Sequence, residues 1–307
     1  MESSPVQKPV ITVREVWEEN LESELSSIQT LLKDYPYIAF DTEFPGRVYD
    51  QVNGHGKHVN RKPDKPNSDL PPEKAYSLMK ANVDALKLIQ LGLTLSDSDG
   101  NLPEGGCVWQ FNFREFDVDK DLHNASSIKL LKRQGIDFLA SKKHGVRSEE
   151  FARLFPRCFG ERSLTWVTFY GAYDYGYLMK VLTQANLPGD LNKFMDLLSQ
   201  YFGNLRYDVK TMMKPCRLYG GLNAIANHFK VERVAGKAHQ AGSDSLLTMQ
   251  VFMKMKSVHY QSENAKALNK LTCIPHGLNL KVNDEKDHRT TSSSKRVKIT
   301  PSPFKKK

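Results

Sequence analysis

Ile38-Ala39-Phe40-Asp41-Thr42-Glu43-Phe44, the stretch IAFDTEF, carries an apolar run straight into two carboxylates spaced two residues apart. Tyr37 to Phe40 read as a short strand, and a period of two puts Asp41 and Glu43 on one face where that strand ends. A second apolar strand, LTWVTFY (164–170), is followed in FYGAYDYGYL by Asp174 at the start of a helix. Asp244, in HQAGSDSLL, falls in the first turn of a long helix, where the dipole favours a negative charge. His239 stands five positions before it. Taken singly, Asp174 and Asp244 also read as helix caps, and His239 as a surface or core histidine. Taken together, three distant segments each set carboxylates against apolar runs, where unpaired charge is costly. They are expected to converge on something that neutralises them, and divalent metal is the first candidate.

Outward from IAFDTEF the pattern alternates. Residues 12–34 read as a helix leading into the first strand, and 47–74, rich in Pro, Gly, Asn and Lys, as a long loop. A helix around 73–84 precedes a strand from Leu86 to Leu95; the Gly-rich turn SDSDGNLPEGG joins it to VWQFNF, predicting an antiparallel meander. Residues 124–160 look mainly helical. In the second half, Leu178, Val181 and Leu182 mark a helix, a further helix lies near 190–203, and LRYDV is extended. Gly220-Gly221 opens a helix with Leu222, Ile225, Ala226 and Phe229 on one face, and the last long helix covers about 240–257. A meander followed by alternating strands and helices indicates an α/β protein with a mixed sheet. No internal repeat is present.

The 39% hydrophobic and 26% charged content of the 307 residues is that of a globular protein. No apolar run approaches the roughly 20 residues of a membrane span, and the first residues lack the pattern of a secretory signal. Four widely scattered cysteines support neither a zinc site nor a disulfide framework. The net charge of +9 is uneven: residues 281–307 account for +6, leaving +3 for the other 280. A nearly neutral body does not bind polyanions by bulk charge, so contact with a nucleic acid would be focused in a cleft. The run KRVK and the terminal KKK fit a nuclear-localisation or RNA-contacting tail, or a merely solubilising one.

Four carboxylates carry a charge that two divalent cations cancel, and oxygen-only ligation suits Mg²⁺ or Mn²⁺ rather than zinc. Such a pair clamps the attacking and leaving oxygens of a phosphodiester in line. A nearby histidine can take the proton of the attacking water. The cations themselves then supply the focused positive charge.

The order Asp-x-Glu, Asp, His-x-x-x-x-Asp resembles the DEDDh 3′–5′ exonucleases, which share the ribonuclease-H-like fold. FDTEFPG (40–46), NVDALKLIQLGLTL (82–95), WQFNF (109–113), LLKRQGIDF (130–138), YDYGYLMK (173–180), DVKTMMKPC (208–216) and HQAGSDSLLT (239–248) are similar to the Caf/Pop deadenylases, catalytic subunits of the Ccr–Not complex. The similarity covers roughly residues 12–275 and has a plant-like flavour. It implies a mixed five- or six-stranded sheet flanked by helices. It also implies a Mg²⁺- or Mn²⁺-dependent exoribonuclease that shortens the poly(A) tail of mRNA from the 3′ end, releasing AMP. On this resemblance Asp41, Glu43, Asp174 and Asp244 are metal ligands and His239 the general base. The partners are single-stranded RNA, the Not scaffold and Ccr-type deadenylase subunits, in cytoplasm and nucleus. The expected organisation is a flexible N-terminus (1–11), a DEDDh exoribonuclease domain (12–278) containing the 47–74 loop, and a disordered basic tail (279–307).

Two departures stand out. The stretch after FPG is longer than the family's usual loop, and Tyr170 occupies a place where members commonly carry histidine. A catalytically silent subunit of the same complex and a DNA-directed DEDDh exonuclease are the alternative readings. Phe44, beside the acidic pair, is a candidate for stacking on a terminal base and equally a candidate core aromatic.

Overall fold

In a computed structural model, the structure describes residues 11–52, 58–59, 70–160, 163–261 and 264–280. Eight strands are present among the described residues: β1 (Thr12–Val16), β2 (Tyr37–Glu43), β3 (Gln51–Val52), β4 (His58–Val59), β5 (Gln90–Ser96), β6 (Cys107–Asn112), β7 (Thr165–Thr168) and β8 (Arg206–Asp208). The α-helices are α1 (Leu21–Leu31), α2 (Pro72–Ala85), α3 (Ala125–Gln134), α4 (Phe138–His144), α5 (Ser148–Phe159), α6 (Ala172–Thr183), α7 (Leu191–Phe202), α8 (Val209–Met213), α9 (Leu222–His228), α10 (Ala241–His259) and α11 (Ala265–Asn269).

Six strands form one mixed sheet in the order β1-β6-β5-β2-β7-β8. The meander expected from the turn is there: β2 pairs antiparallel with β5, and β5 with β6. The second half adds parallel strands, β7 beside β2 and β8 beside β7. β1 closes the other edge, parallel to β6.

Two expectations need correction. The segment from residue 12 is not helical at its start: Thr12–Val16 is the edge strand, and the helix begins at Leu21. The β-branched residues Thr12, Val13 and Val16 favour extended backbone, but the strand also needs β6 as a partner, which a local pattern does not reveal. Within the expected 47–74 loop, Gln51–Val52 and His58–Val59 form a short antiparallel pair. Residues 53–57 and 60–69 of that loop, residues 1–10 and residues 281–307 lie outside the described residues.

The sheet is covered on both faces. Along β2, Ile38 and Phe40 enter one apolar layer, where Phe40 meets Trp166, Tyr175 and Phe202. Ala39 enters the opposite layer with Val167, Leu247 and Phe252, and Tyr37 packs there against Phe252. Helices α1, α2, α5, α6 and α7 supply the first layer; α8, α9, α10 and α11 supply the second. By the period of two, Asp41 and Glu43 continue the Tyr37–Ala39 face toward α10, while Thr42 continues the Phe40 face toward α6. The end of β2 is therefore where the two layers of helices meet. Among the described residues no helix is long and apolar enough to cross a membrane.

Candidate active site

Parallel pairing of β7 with β2 carries the chain that follows β7 to the end of β2, and there the first turn of α6 presents Asp174. The Asp174 Oδ1 accepts hydrogen bonds from Thr42, both from its backbone N–H at 2.9 Å and from its hydroxyl at 2.5 Å. Asp174 is thus tied to the residue standing between Asp41 and Glu43. From the other face α10 brings Asp244, which is buried and whose Oδ2 accepts the backbone N–H of His239 at 2.9 Å. The His239 backbone is in the left-handed region, with φ of +61°. Ligand atoms of Glu43, His239 and Asp244 lie within 4.8 Å of one another, with the imidazole on the exposed side.

All five predicted residues, Asp41, Glu43, Asp174, His239 and Asp244, line one cleft of about 550 Å³, together with Phe44. Phe44 stacks on two tyrosines of α6, Tyr173 at 5.4 Å and Tyr177 at 4.7 Å. Its ring is partly buried against the core and also lines the cleft.

Charge in this cleft is unbalanced. Removal from water pushes the Asp41 carboxyl well above its ordinary range, and the negative charges of Asp174, Asp244 and Glu43 push it further. Glu43 is raised by burial, then by Asp244 and Asp174. Burial raises Asp174 to about 7 despite the two Thr42 hydrogen bonds, and Asp208 adds to the rise. Among the described residues, Arg233 pairs with Asp244 at 2.6 Å and also donates to Ser243 and Asn223. Three acids driven toward protonation by burial and mutual repulsion, beside a histidine and in an oxygen-rich donor set, fit a divalent cation of the Mg²⁺ or Mn²⁺ kind.

The sign of the pH dependence follows. Asp174 binds its proton more tightly folded than unfolded, so its penalty is absent below about pH 4 and grows as pH rises through about 7. Each unit of displacement is about 1.4 kcal/mol. The metal-free protein should therefore lose thermal stability between pH 5 and pH 8, flattening beyond. With saturating Mn²⁺ the melting temperature should instead hold or rise over that interval, because deprotonated ligands bind metal better. Calorimetric melts in EDTA and in Mn²⁺ at four pH values check both slopes.

Several residues that build the site were not singled out from sequence. Asp208, at the end of β8, is buried and accepts backbone N–H groups of Tyr170, Gly171, His276 and Lys210. It thereby ties the entry to α6 to β8 and to the segment around His276. Its signal was an aspartate ending an extended piece ahead of a helix, an N-cap pattern. Gln90 and Gln110 point their Oε1 atoms at the first N–H groups of α10, those of Ala241 at 3.5 Å and Gly242 at 3.1 Å. Behind them Glu15 of β1 accepts from Gln110 at 2.9 Å and from Asn112 at 2.7 Å. Nothing local in the sequence marks that network, since its members come from three strands.

The fold is of the ribonuclease-H-like class, with its carboxylates gathered around the end of β2. Residues 16–153 match the profile of the CAF1 family ribonuclease. The chain is 46% identical over 254 residues to the probable CCR4-associated factor 1 homolog 7 of Arabidopsis thaliana, covering 80% of this chain and 87% of that protein. It is 37% identical over 270 residues to the poly(A) ribonuclease pop2 of Schizosaccharomyces pombe, covering 87% of this chain and 76% of that one. This chain belongs to the CAF1 family of ribonucleases. Among solved structures, the Mg²⁺- and Mn²⁺-bound form of S. pombe Pop2p superposes with a TM-score of 0.73 at 37% identity, over 87% of this chain and all of that one. The structure of the yeast NOT1 MIF4G domain co-crystallised with CAF1 holds a chain matching at TM-score 0.66 and 30% identity, over 90% of this chain and all of that one.

Proposed function

We propose that the protein is a 3′–5′ exoribonuclease that shortens the poly(A) tails of mRNA by hydrolysis, releasing AMP, as a catalytic subunit of a Ccr–Not assembly. The observation that carries the reading is the meeting of Asp41, Glu43, Asp174, Asp244 and His239 in one cleft, with more negative charge than the protein itself balances. The names of its relatives support the substrate and the assembly: a poly(A) ribonuclease, a CCR4-associated factor, and a CAF1 chain crystallised with a NOT1 domain.

Asp41, Glu43, Asp174 and Asp244 would hold two divalent cations. When bound, those ions supply Lewis-acid polarisation of the scissile phosphate and acidify the attacking water. The rest falls to the chain. Thr42 fixes the Asp174 carboxylate in one orientation by a pair of hydrogen bonds. The His239 backbone N–H and Arg233 hold the two oxygens of Asp244 apart, one each. A ring nitrogen of His239, on the exposed rim beside Glu43 and Asp244, accepts the proton of the attacking water. The site reaches the substrate through an open cleft, as a strand fed by its end requires. The same reading extends to action in both cytoplasm and nucleus, with the Not scaffold and a Ccr-type deadenylase as partners.

The test is hydrolysis of 3′-terminal oligo(A), oligo(U), oligo(C) and oligo(G) RNA by the purified full chain, wild type beside Asp41→Ala. A Mg²⁺-dependent ladder on oligo(A), absent in EDTA and in the variant, is expected. A 2′-deoxy substitution at the 3′ end should slow cleavage, since the 2′-OH is where RNA and DNA differ. Full activity in Asp41→Ala would sink the site assignment. Calorimetric silence at millimolar Mn²⁺ would favour the silent-subunit reading instead.

A further inference from the structure

The aromatic residues of the cleft differ in what they leave open. Phe44 stacks on Tyr173 and Tyr177 and is bound into the core. Tyr170 also lines the cleft, four residues before Asp174, and is 44% exposed. Burial excludes most large aromatic rings of this chain from solvent, so an exposed ring at the edge of the acidic cluster has no role in packing the core.

The backbone of Tyr170 is held in an unfavourable state. Its φ is +66°, a region that a bulky L-residue rarely adopts and that costs free energy. The surroundings over-determine that state. The Asp208 carboxylate accepts the Tyr170 N–H at 3.1 Å and the Gly171 N–H at 2.8 Å. It also accepts the His276 N–H at 2.8 Å, so one buried acid holds both the strained residue and the segment behind it. The His276 ring lies 4.7 Å from the Tyr170 ring at a tilt of 59°. Burial first, then Lys214 and Lys210, push His276 down to about 4, so the ring is an uncharged backing at neutral pH. Gly277 completes the support: a Cβ there would come within 3.0 Å of the Ala172 Cβ and 3.4 Å of a Tyr170 ring carbon. The phenol is thus backed from behind and presented to the cleft.

We propose that Tyr170 is a substrate-binding residue, with a nucleobase adjoining the scissile phosphate stacking on its exposed ring. The proposal rests on the RNA-hydrolase reading for the identity of the ligand. A platform of this kind accepts any base, and it favours purines through their larger stacking area. Tyr170 would thereby supply affinity for an adenine-rich strand, whereas the carboxylates supply the chemistry.

The experiment measures binding apart from cleavage. Fluorescein-labelled oligo(A) RNA is titrated, by anisotropy, into the full chain carrying Asp41→Asn, with and without a second substitution at Tyr170. Tyr170→Asn removes the ring and suits a positive φ, whereas Tyr170→Phe keeps the ring. The same titrations are repeated with RNA whose two 3′-terminal nucleotides are abasic. Tyr170→Asn should weaken binding of the intact RNA about 5- to 100-fold, as loss of one base–aromatic stack does. Tyr170→Phe should stay within about threefold of the parent, since the stacking face remains. On the abasic RNA, Tyr170→Asn and its parent should bind alike. Equal weakening by Tyr170→Asn on both RNAs, no weakening on either, or a Tyr170→Phe variant as poor as Tyr170→Asn would overturn the platform. Melting of each variant in the Asp41 background, and Mn²⁺ titration of the Tyr170 variants with Asp41 intact, separate loss of fold from loss of stacking. If the wild-type chain binds oligo(A) through Tyr170 yet never cleaves it, the hydrolase reading fails and the platform stands.

Discussion

Asp41→Asn should give a protein that melts higher than wild type in EDTA and has lost about a thousandfold or more of its Mg²⁺-dependent hydrolysis of oligo(A) RNA. The two effects share one cause. The Asp41 carboxylate is disfavoured first by its removal from water and then by Asp174, Asp244 and Glu43, with Arg233 opposing them. An asparagine has nearly the same shape without the charge, so it relieves that repulsion. The gain should be larger at pH 8 than at pH 5, because the wild-type carboxylate is penalised more as pH rises. Addition of Mn²⁺ should reverse the order, because a ligand that binds only the folded state stabilises it by mass action. Wild type should rise by several degrees and the variant by much less. Melting curves of both proteins in EDTA and in millimolar Mn²⁺ read all four values. A variant that melts lower in EDTA would mean that local partners already satisfy Asp41, and the unbalanced-charge account of the cleft would fall.

The same imbalance explains why the candidate site residues were legible in sequence while their supports were not. Asp41, Glu43, Asp174 and Asp244 announce themselves because a carboxylate after an apolar run is locally anomalous. The structure brings all four and His239 into one cleft. The meander and the parallel half of the sheet were legible for a similar reason: strand period, helix period and the Gly-rich turn are local signals. What escaped is what depends on a partner. Thr12–Val16 reads as the start of a helix until β6 is beside it. Asp208 looks like one more helix cap, yet it binds segments that lie dozens of residues away in either direction, at Tyr170 and His276. Arg233 gives no signal at all, since an arginine after a helix is ordinary until Asp244 lies 2.6 Å away. Phe44 kept two readings in sequence, a base-stacking ring and a core aromatic: the even spacing that sends Asp41 and Glu43 toward α10 sets its ring against Tyr173 and Tyr177 of α6, while it also lines the cleft.

Gly92→Ala should be the most damaging glycine-to-alanine change among the described residues, through the position of Asp244. Gly92 stands opposite Asp41 in the β2–β5 ladder, so the sheet is thinnest beside the acidic pair. A Cβ on Gly92 would lie 1.9 Å from the Ala241 carbonyl oxygen, 2.0 Å from its carbon and 2.4 Å from the Gly242 nitrogen. These are backbone atoms in the first turn of α10, and no rotamer change can move them aside. Nor can the turn retreat freely. It is tied to the sheet by the Gly242 N–H to Gln110 at 3.1 Å and by the Thr94–Ser245 hydroxyl pair at 2.8 Å. Alanine must therefore break those bonds and lift the turn that carries Asp244, at a cost of roughly 3–5 kcal/mol. In the molecules that remain folded, a displaced Asp244 should weaken Mn²⁺ binding by about 10- to 100-fold, as loss of ligand positioning does. Gly189→Ala is the matched control: a Cβ there meets nothing within 4 Å. That variant should be neutral or stabilised by about 0.4–1 kcal/mol through a less flexible unfolded chain. Urea midpoints and Mn²⁺ titrations of the two variants decide the matter. If Gly92→Ala unfolds at the wild-type midpoint and binds Mn²⁺ normally, then close contact between β5 and α10 is not what sets Asp244 in the cleft.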